Sequence, residues 1–161
     1  IHISRSLRKI LNKNLFHVTF DQAFPEVISL CADVRSDTWI TEGMNQAYNL
    51  LHKQGTAHSV EVWHDQQLVG GLYGLSIGQV FFGESMFSLM TDASKVAFVY
   101  LAKQLNHWGY PLIDCQVENK HLLSLGAETI PREHFQTILK EHTSTNPANQ
   151  HWTLEWELSK L

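Results

Sequence analysis

The chain is poor in cysteine: only Cys31 and Cys115 occur in 161 residues, too far apart for a CxxC ligand set and too few for a disulfide framework. That usage fits a reducing compartment. No apolar run approaches the roughly 20 residues needed to cross a bilayer, and the opening IHISRSLRK lacks the apolar stretch of a secretion signal. A cytoplasmic location, with no membrane partner, is the expectation. Cationic surplus is missing too. A net charge of -4 excludes a general nucleic-acid binder, because affinity for RNA rests on Lys and Arg neutralising phosphates. Any RNA contact has to be local. Ten histidines are present, yet no HxH, HExxH or His with Cys spacing appears, and His52, His58 and His64 fall across a helix end, a strand and a turn. No metal and no cofactor are expected.

What is present reads as one folded domain. Hydrophobic residues make up 43%, including five Trp and eight Phe, against four Pro and nine Gly. Arg5, Arg8, Lys9 and Lys13 place four positive charges and no negative one in the first fourteen residues, the only dense basic patch. Residues 1–14 are read as a basic lead-in to a single domain spanning 1–161. Ile1 in place of an initiator Met gives the expectation that the chain is a fragment.

Along the chain, FHVTFD alternates as a strand does, and helices are expected from about Pro25 to Val34 and from about Thr41 to Gln54, where Gly55 stops the second. The period then changes. HSVEVW, LVGGLYGLSIG and QVFFGESMF read as three strands of an antiparallel meander. Ala93 to Trp108 returns to helical spacing, the buried strand LIDCQV follows, and a short apolar helix through Leu122, Leu123 and Leu125 ends at Gly126. The strict alternation of Trp152, Leu154, Trp156 and Leu158 predicts a closing strand. Together these give a mixed α+β plan without repeats.

Four stretches go beyond architecture: TWITEG (38–43), HSVEVW with LVGGLYG, FGESMFS (82–88) and LIDCQV (112–117). With ASK at 93–95 and IPRE near Arg132, this ordered set resembles the leucyl/phenylalanyl-tRNA-protein transferases over most of the chain. The resemblance implies an acetyltransferase-like (GNAT-type) fold, a largely antiparallel sheet flanked by helices. It also implies that the family's further N-terminal domain is absent here. The implied activity moves Leu or Phe from aminoacyl-tRNA to the α-amine of proteins with N-terminal Arg or Lys, an N-end rule tag for degradation.

That reaction is aminolysis of an ester, and an α-amine with pKa of about 8 needs little base strength near neutrality. Positioning can supply much of the rate. Strand period places Asp114 and Gln116 on one face of LIDCQV and Cys115 on the other. By resemblance, Gln116 contacts the attacking amine while Asp114 orients and polarises that amide; a purely orienting role for the pair stays open. Cys115 is read as a core thiol. Glu84, amid apolar residues, requires a partner; it is assigned with Glu118 to the acceptor's cationic end, an internal salt bridge being the alternative. The resemblance puts Leu72, Phe81, Leu101 and Ile113 in the donor side-chain pocket, each equally at home in an ordinary core. Trp39 is assigned to the terminal adenine and Ser94 with Lys95 to phosphate; core packing and helix capping are the alternatives. Arg5, Arg8, Lys9 and Lys13 would meet acceptor-stem phosphates, or simply be solvated.

Two rival functions remain. An acyl-CoA N-acyltransferase would share the fold, but such enzymes place an R/Q-x-x-G-x-G/A stretch before the central helix, where this chain reads SLMTDASK without glycine. The other rival is a non-catalytic module that binds basic N-termini.

Overall fold

A computed structural model describes residues 1–34, 38–145 and 151–156. Helix α1 (Arg5–Asn12) starts at Ser4, whose side chain accepts from the Leu7 amide, and buries Leu7 and Leu11 on one side, leaving its basic residues in solvent. Strand β1 (His17–Phe20) follows, then α2 (Phe24–Asp33), with Pro25 in its first turn, and α3 (Glu42–Lys53), capped by Thr41. Gly55, at φ 73°, lets the chain leave α3 for β2 (Ala57–His64).

The strands β2, β3 (Gln67–Ile77) and β4 (Val80–Ser88) form the predicted meander. The sheet runs in the order β1-β2-β3-β4-β5, antiparallel throughout except that β5 (Leu112–Asp114) lies parallel to β4. The parallel pair needs a crossover, supplied by α4 (Ala93–His107), which lies across the sheet. Period two along the strands divides the apolar residues between two cores. Leu72 belongs to the face covered by α1 and α4, while its neighbour Tyr73 belongs to the face covered by α2 and α3.

Glu61 is fully buried, accepting from the hydroxyls of Thr19 and Ser59 and, at longer range, from the amides of Gln22 and Ala23. This network joins the chain entering α2 to the sheet.

Several expectations need correction. Residues 151–156 form no strand. They are a tail held from the side: Trp152 stacks on His58 at 3.9 Å, and the Gln104 Oε1 accepts the amides of Glu155 and Trp156 at 2.7 Å each. The alternation of buried tryptophans therefore fits a wedge whose backbone is satisfied by a side chain, and Leu158 lies outside the described residues. The basic lead-in holds α1, a helix for which the sequence carried no expectation. Another helix without a sequence expectation, α6 (Arg132–His142), follows the short α5 (Lys120–Ser124). It docks on the β3–β4 turn, where the Gln79 amide donates to His142 O at 2.9 Å.

Candidate active site

Strands β4 and β5 stay together for three residue pairs, Val80 with Leu112 through Phe82 with Asp114. Beyond them β4 continues to Ser88, whereas β5 ends because the chain turns at Gln116, which holds φ 63°. On the other side of β4 the register with β3 shifts between Tyr73 and Gly74. Between the parting strands opens a cleft of about 850 Å³.

Its walls gather most of the sequence-predicted residues: Leu72, Phe81, Leu101 and Ile113, together with Glu84, Gln116, Trp39 and Ser94. Leu72, Phe81 and Leu101 are buried and Ile113 is partly so. The apolar quartet comes from β3, β4, α4 and β5, so only the tertiary fold unites it.

Asp114 and Gln116 are brought together by a turn and not by strand period. The Asp114 Oδ1 accepts the backbone amide of Gln116 at 2.8 Å, and the Gln116 Nε2 donates to Gly83 O at 2.9 Å. The carboxylate thus fixes the backbone of Gln116, and β4 fixes its amide nitrogen. With that nitrogen occupied, the planar amide leaves its Oε1 as the acceptor available to a ligand.

Among the described residues Glu84 forms no ion pair; its partner is the Tyr48 hydroxyl. Burial, then the charge and hydrogen bond of Glu84, push the Tyr48 hydroxyl up. Tyr73 is also raised, by burial and then by Cys31, Tyr48 and Glu84, and its buried hydroxyl has no hydrogen-bond partner among the described residues. Aromatic edges join Tyr73 to Tyr48 at 5.2 Å and Tyr48 to Trp39 at 6.2 Å, so Trp39, 43% exposed, closes one end of the cluster.

The remaining residues lie apart. Asp114 and Glu118 line a second groove of about 1020 Å³ along β5, which meets the first cleft at Ile113, Cys115 and Gln116. Lys95 pairs with Asp92 at 2.7 Å in the first turn of α4, beside Ser94. Arg5, Arg8 and Lys9 are exposed on α1, and Lys13 is exposed just past its end. Cys115 touches the cleft, because the strand ends before its period can turn the thiol away. Burial, aided by Asp114, pushes this thiol up to about 11, so it stays protonated and is a poor nucleophile. Sequence reading passed over Tyr48, Tyr73 and His121. His121 lies five residues beyond Gln116, past the strand, and lines the cleft; its Nε2 is buried and has no hydrogen-bond partner among the described residues.

Solved structures place this architecture in a class. An aminoglycoside acetyltransferase from an uncultured soil metagenomic sample superposes with a TM-score of 0.55 at 12% identity, covering 74% of this chain and 95% of that one. A ribosomal-protein-alanine N-acetyltransferase from Brucella melitensis gives 0.54 at 10%, covering 73% and 93%. The fold is that of the GNAT acetyltransferases, with a cleft where the parallel strands part. Within that class, sequence is decisive: the profile of the leucyl/phenylalanyl-tRNA protein transferases matches residues 1–140. The curated transferase of that name from Hydrogenovibrio crunogenus is 54% identical over 159 residues, covering 96% of this chain and 62% of the relative. That from Ectopseudomonas mendocina is 54% identical over 155 residues, covering 94% and 68%. The chain belongs to the leucyl/phenylalanyl-tRNA protein transferase family. It spans about two thirds of the length of these relatives.

Proposed function

We propose that this chain carries the aminoacyl-transfer site of a cytoplasmic leucyl/phenylalanyl-tRNA-dependent transferase that extends proteins with N-terminal Arg or Lys. The observation that carries the reading is the convergence of Leu72, Phe81, Leu101 and Ile113 on one cleft with Glu84 and Gln116. The apolar quartet takes the Leu or Phe side chain. Such a pocket discriminates weakly, a methylene being worth about 1 to 3 kcal/mol, and so accepts both. The Gln116 Oε1 accepts a hydrogen from the acceptor's amine, with Asp114 holding the turn that aims it. Glu84 and its tyrosines receive the acceptor's cation, and Glu118 adds negative charge along the adjoining groove. Trp39 offers a face to the terminal adenine, and Ser94 with Lys95 a phosphate contact in which the phosphate displaces Asp92 from the lysine. The cations of α1 meet the acceptor stem through phosphates only, so this affinity falls with salt.

The test is mass spectrometry of peptides starting with Arg, Lys or Ala after incubation with the chain and leucyl-tRNA, with acetyl-CoA as a parallel donor. Gain of one leucine by the Arg and Lys peptides supports the reading. Acetylation instead would sink it in favour of an acyl-CoA enzyme.

A further inference from the structure

Phe81 lines the cleft although it is fully buried, so most of its ring is held by protein. On the side of β3 there is no slack, since a Cβ built on Gly74 would stand 2.6 Å from the Phe81 Cζ. Trp152, from the tail 151–156, also packs on Phe81, with the ring centroids 5.6 Å apart and the planes at 36°. Trp152 does not line the cleft itself. It is fixed in turn by its neighbours. Its ring stacks on His58 at 3.9 Å, and the His58 Nδ1 lies 2.7 Å from the Asp21 Oδ2. Trp108 and Tyr110 meet it edge-on at 5.3 and 6.4 Å. Through the amides of Glu155 and Trp156 the same tail is tied to Gln104, one turn of α4 past the pocket residue Leu101.

We propose that Trp152 is a positioning residue that sets the depth of the donor side-chain pocket, acting through Phe81; this rests on the aminoacyl-transfer reading above. Protein interiors are packed without slack, and deleting a large ring leaves a void that its neighbours fill only in part. With Trp152 truncated, the Phe81 ring gains room to retreat from the cleft, and the pocket deepens. Discrimination in an apolar pocket turns on volume, so a deeper pocket favours the larger donor side chain, Phe over Leu. The tail therefore tunes donor choice from behind the wall, without touching the donor.

Kinetics of the whole chain with leucyl-tRNA, phenylalanyl-tRNA and an Arg peptide test this, read as the ratio of kcat/KM for Phe to that for Leu. A loss of folded enzyme lowers both donors equally and leaves the ratio unchanged, so a merely structural role does not move it. For Trp152→Ala the ratio should rise about tenfold while the KM of the Arg peptide holds within about threefold. Trp152→Phe keeps a ring against Phe81 and should raise it only about threefold; it carries the test if the alanine variant does not fold. On a Phe81→Leu chain the same substitution should shift the ratio far less. A ratio that stays put while both donors fall together, a move toward Leu, or an equal shift on the Phe81→Leu chain overturns the proposal. If the wild-type chain transfers neither amino acid, the aminoacyl-transfer reading fails, and NMR titration of amide-linked leucyl-adenosine and phenylalanyl-adenosine judges Trp152 separately. Their affinity ratio should then move toward Phe in Trp152→Phe; an unchanged ratio, or binding of neither compound, overturns the role.

Discussion

The turn that joins Asp114 to Gln116 makes a prediction that separates two ways the pair can work. In Gln116→Ala the bond from Nε2 to Gly83 O is lost, an exposed contact of 2.9 Å worth about 1 kcal/mol net at most. The melting temperature should drop by only about 2 to 4 °C. On the proposed role of Gln116 the catalytic loss should be larger, because the oxygen proposed to aim the amine is gone. A misplacement of about 1 Å costs about 100-fold, or about 2.7 kcal/mol of barrier. Gln116→Glu keeps the shape but sets a carboxylate oxygen against Gly83 O, so it should resemble the alanine variant. Asp114 is the discriminating position. An asparagine at 114 retains an oxygen that can accept the Gln116 amide, so Asp114→Asn should keep kcat/KM within about threefold while Asp114→Ala falls with Gln116→Ala. The assay is initial-rate transfer of leucine to an Arg peptide, beside thermal unfolding of each variant. If Asp114→Asn is as damaged as Asp114→Ala, the negative charge itself matters, and the orienting account is refuted.

Three further outcomes follow from the same geometry. A Cβ added at Gly74 would strike Phe82 O and approach the Phe81 ring at 2.6 Å, so Gly74→Ala should cost about 1 to 3 kcal/mol and loosen the donor pocket; an unchanged melting temperature would count against the tight strand crossing. Burial holds the Glu61 carboxyl above its ordinary value of 4.5, only partly offset by its four hydrogen bonds. The folded chain thus binds that proton more readily than the unfolded one, and this stability is lost as pH rises from the ordinary value through the folded one. Melting curves of Glu61→Gln across that window should lack this slope, and an identical slope would refute the assignment. Neutralising Arg5, Arg8 and Lys9 together should weaken tRNA binding and flatten its dependence on salt by about one unit of log-log slope per lost phosphate contact; an unaltered slope would remove α1 from the RNA path.

Much of this architecture is legible in the residues, because the meander and α4 carry clear periods of two and 3.6. The failures have physical causes. Trp152, Leu154 and Trp156 alternate like a strand, yet their backbone is claimed by Gln104 and their rings by an aromatic pocket that no local pattern reveals. Helix α6 buries none of its residues, so its apolar spacing is faint. At the site, the resemblance named the residues and the fold explains their meeting, but the turn at Gln116 was hidden. A non-glycine residue with positive φ gives no local signal, and without it Asp114 and Gln116 look like strand neighbours. Tyr48 acquires interest only from what it faces, Glu84.

The central claim is that the parting of β4 and β5 receives the aminoacyl end of the donor. The most direct measurement is NMR mapping of amide-linked leucyl-adenosine on the chain, with coenzyme A titrated in parallel. The account predicts that the methyl and ring signals of Leu72, Phe81, Leu101 and Ile113 shift together with the Gln116 side-chain amide, while coenzyme A leaves them unmoved. Shifts confined to other surfaces, or the same residues responding to coenzyme A alone, would contradict it.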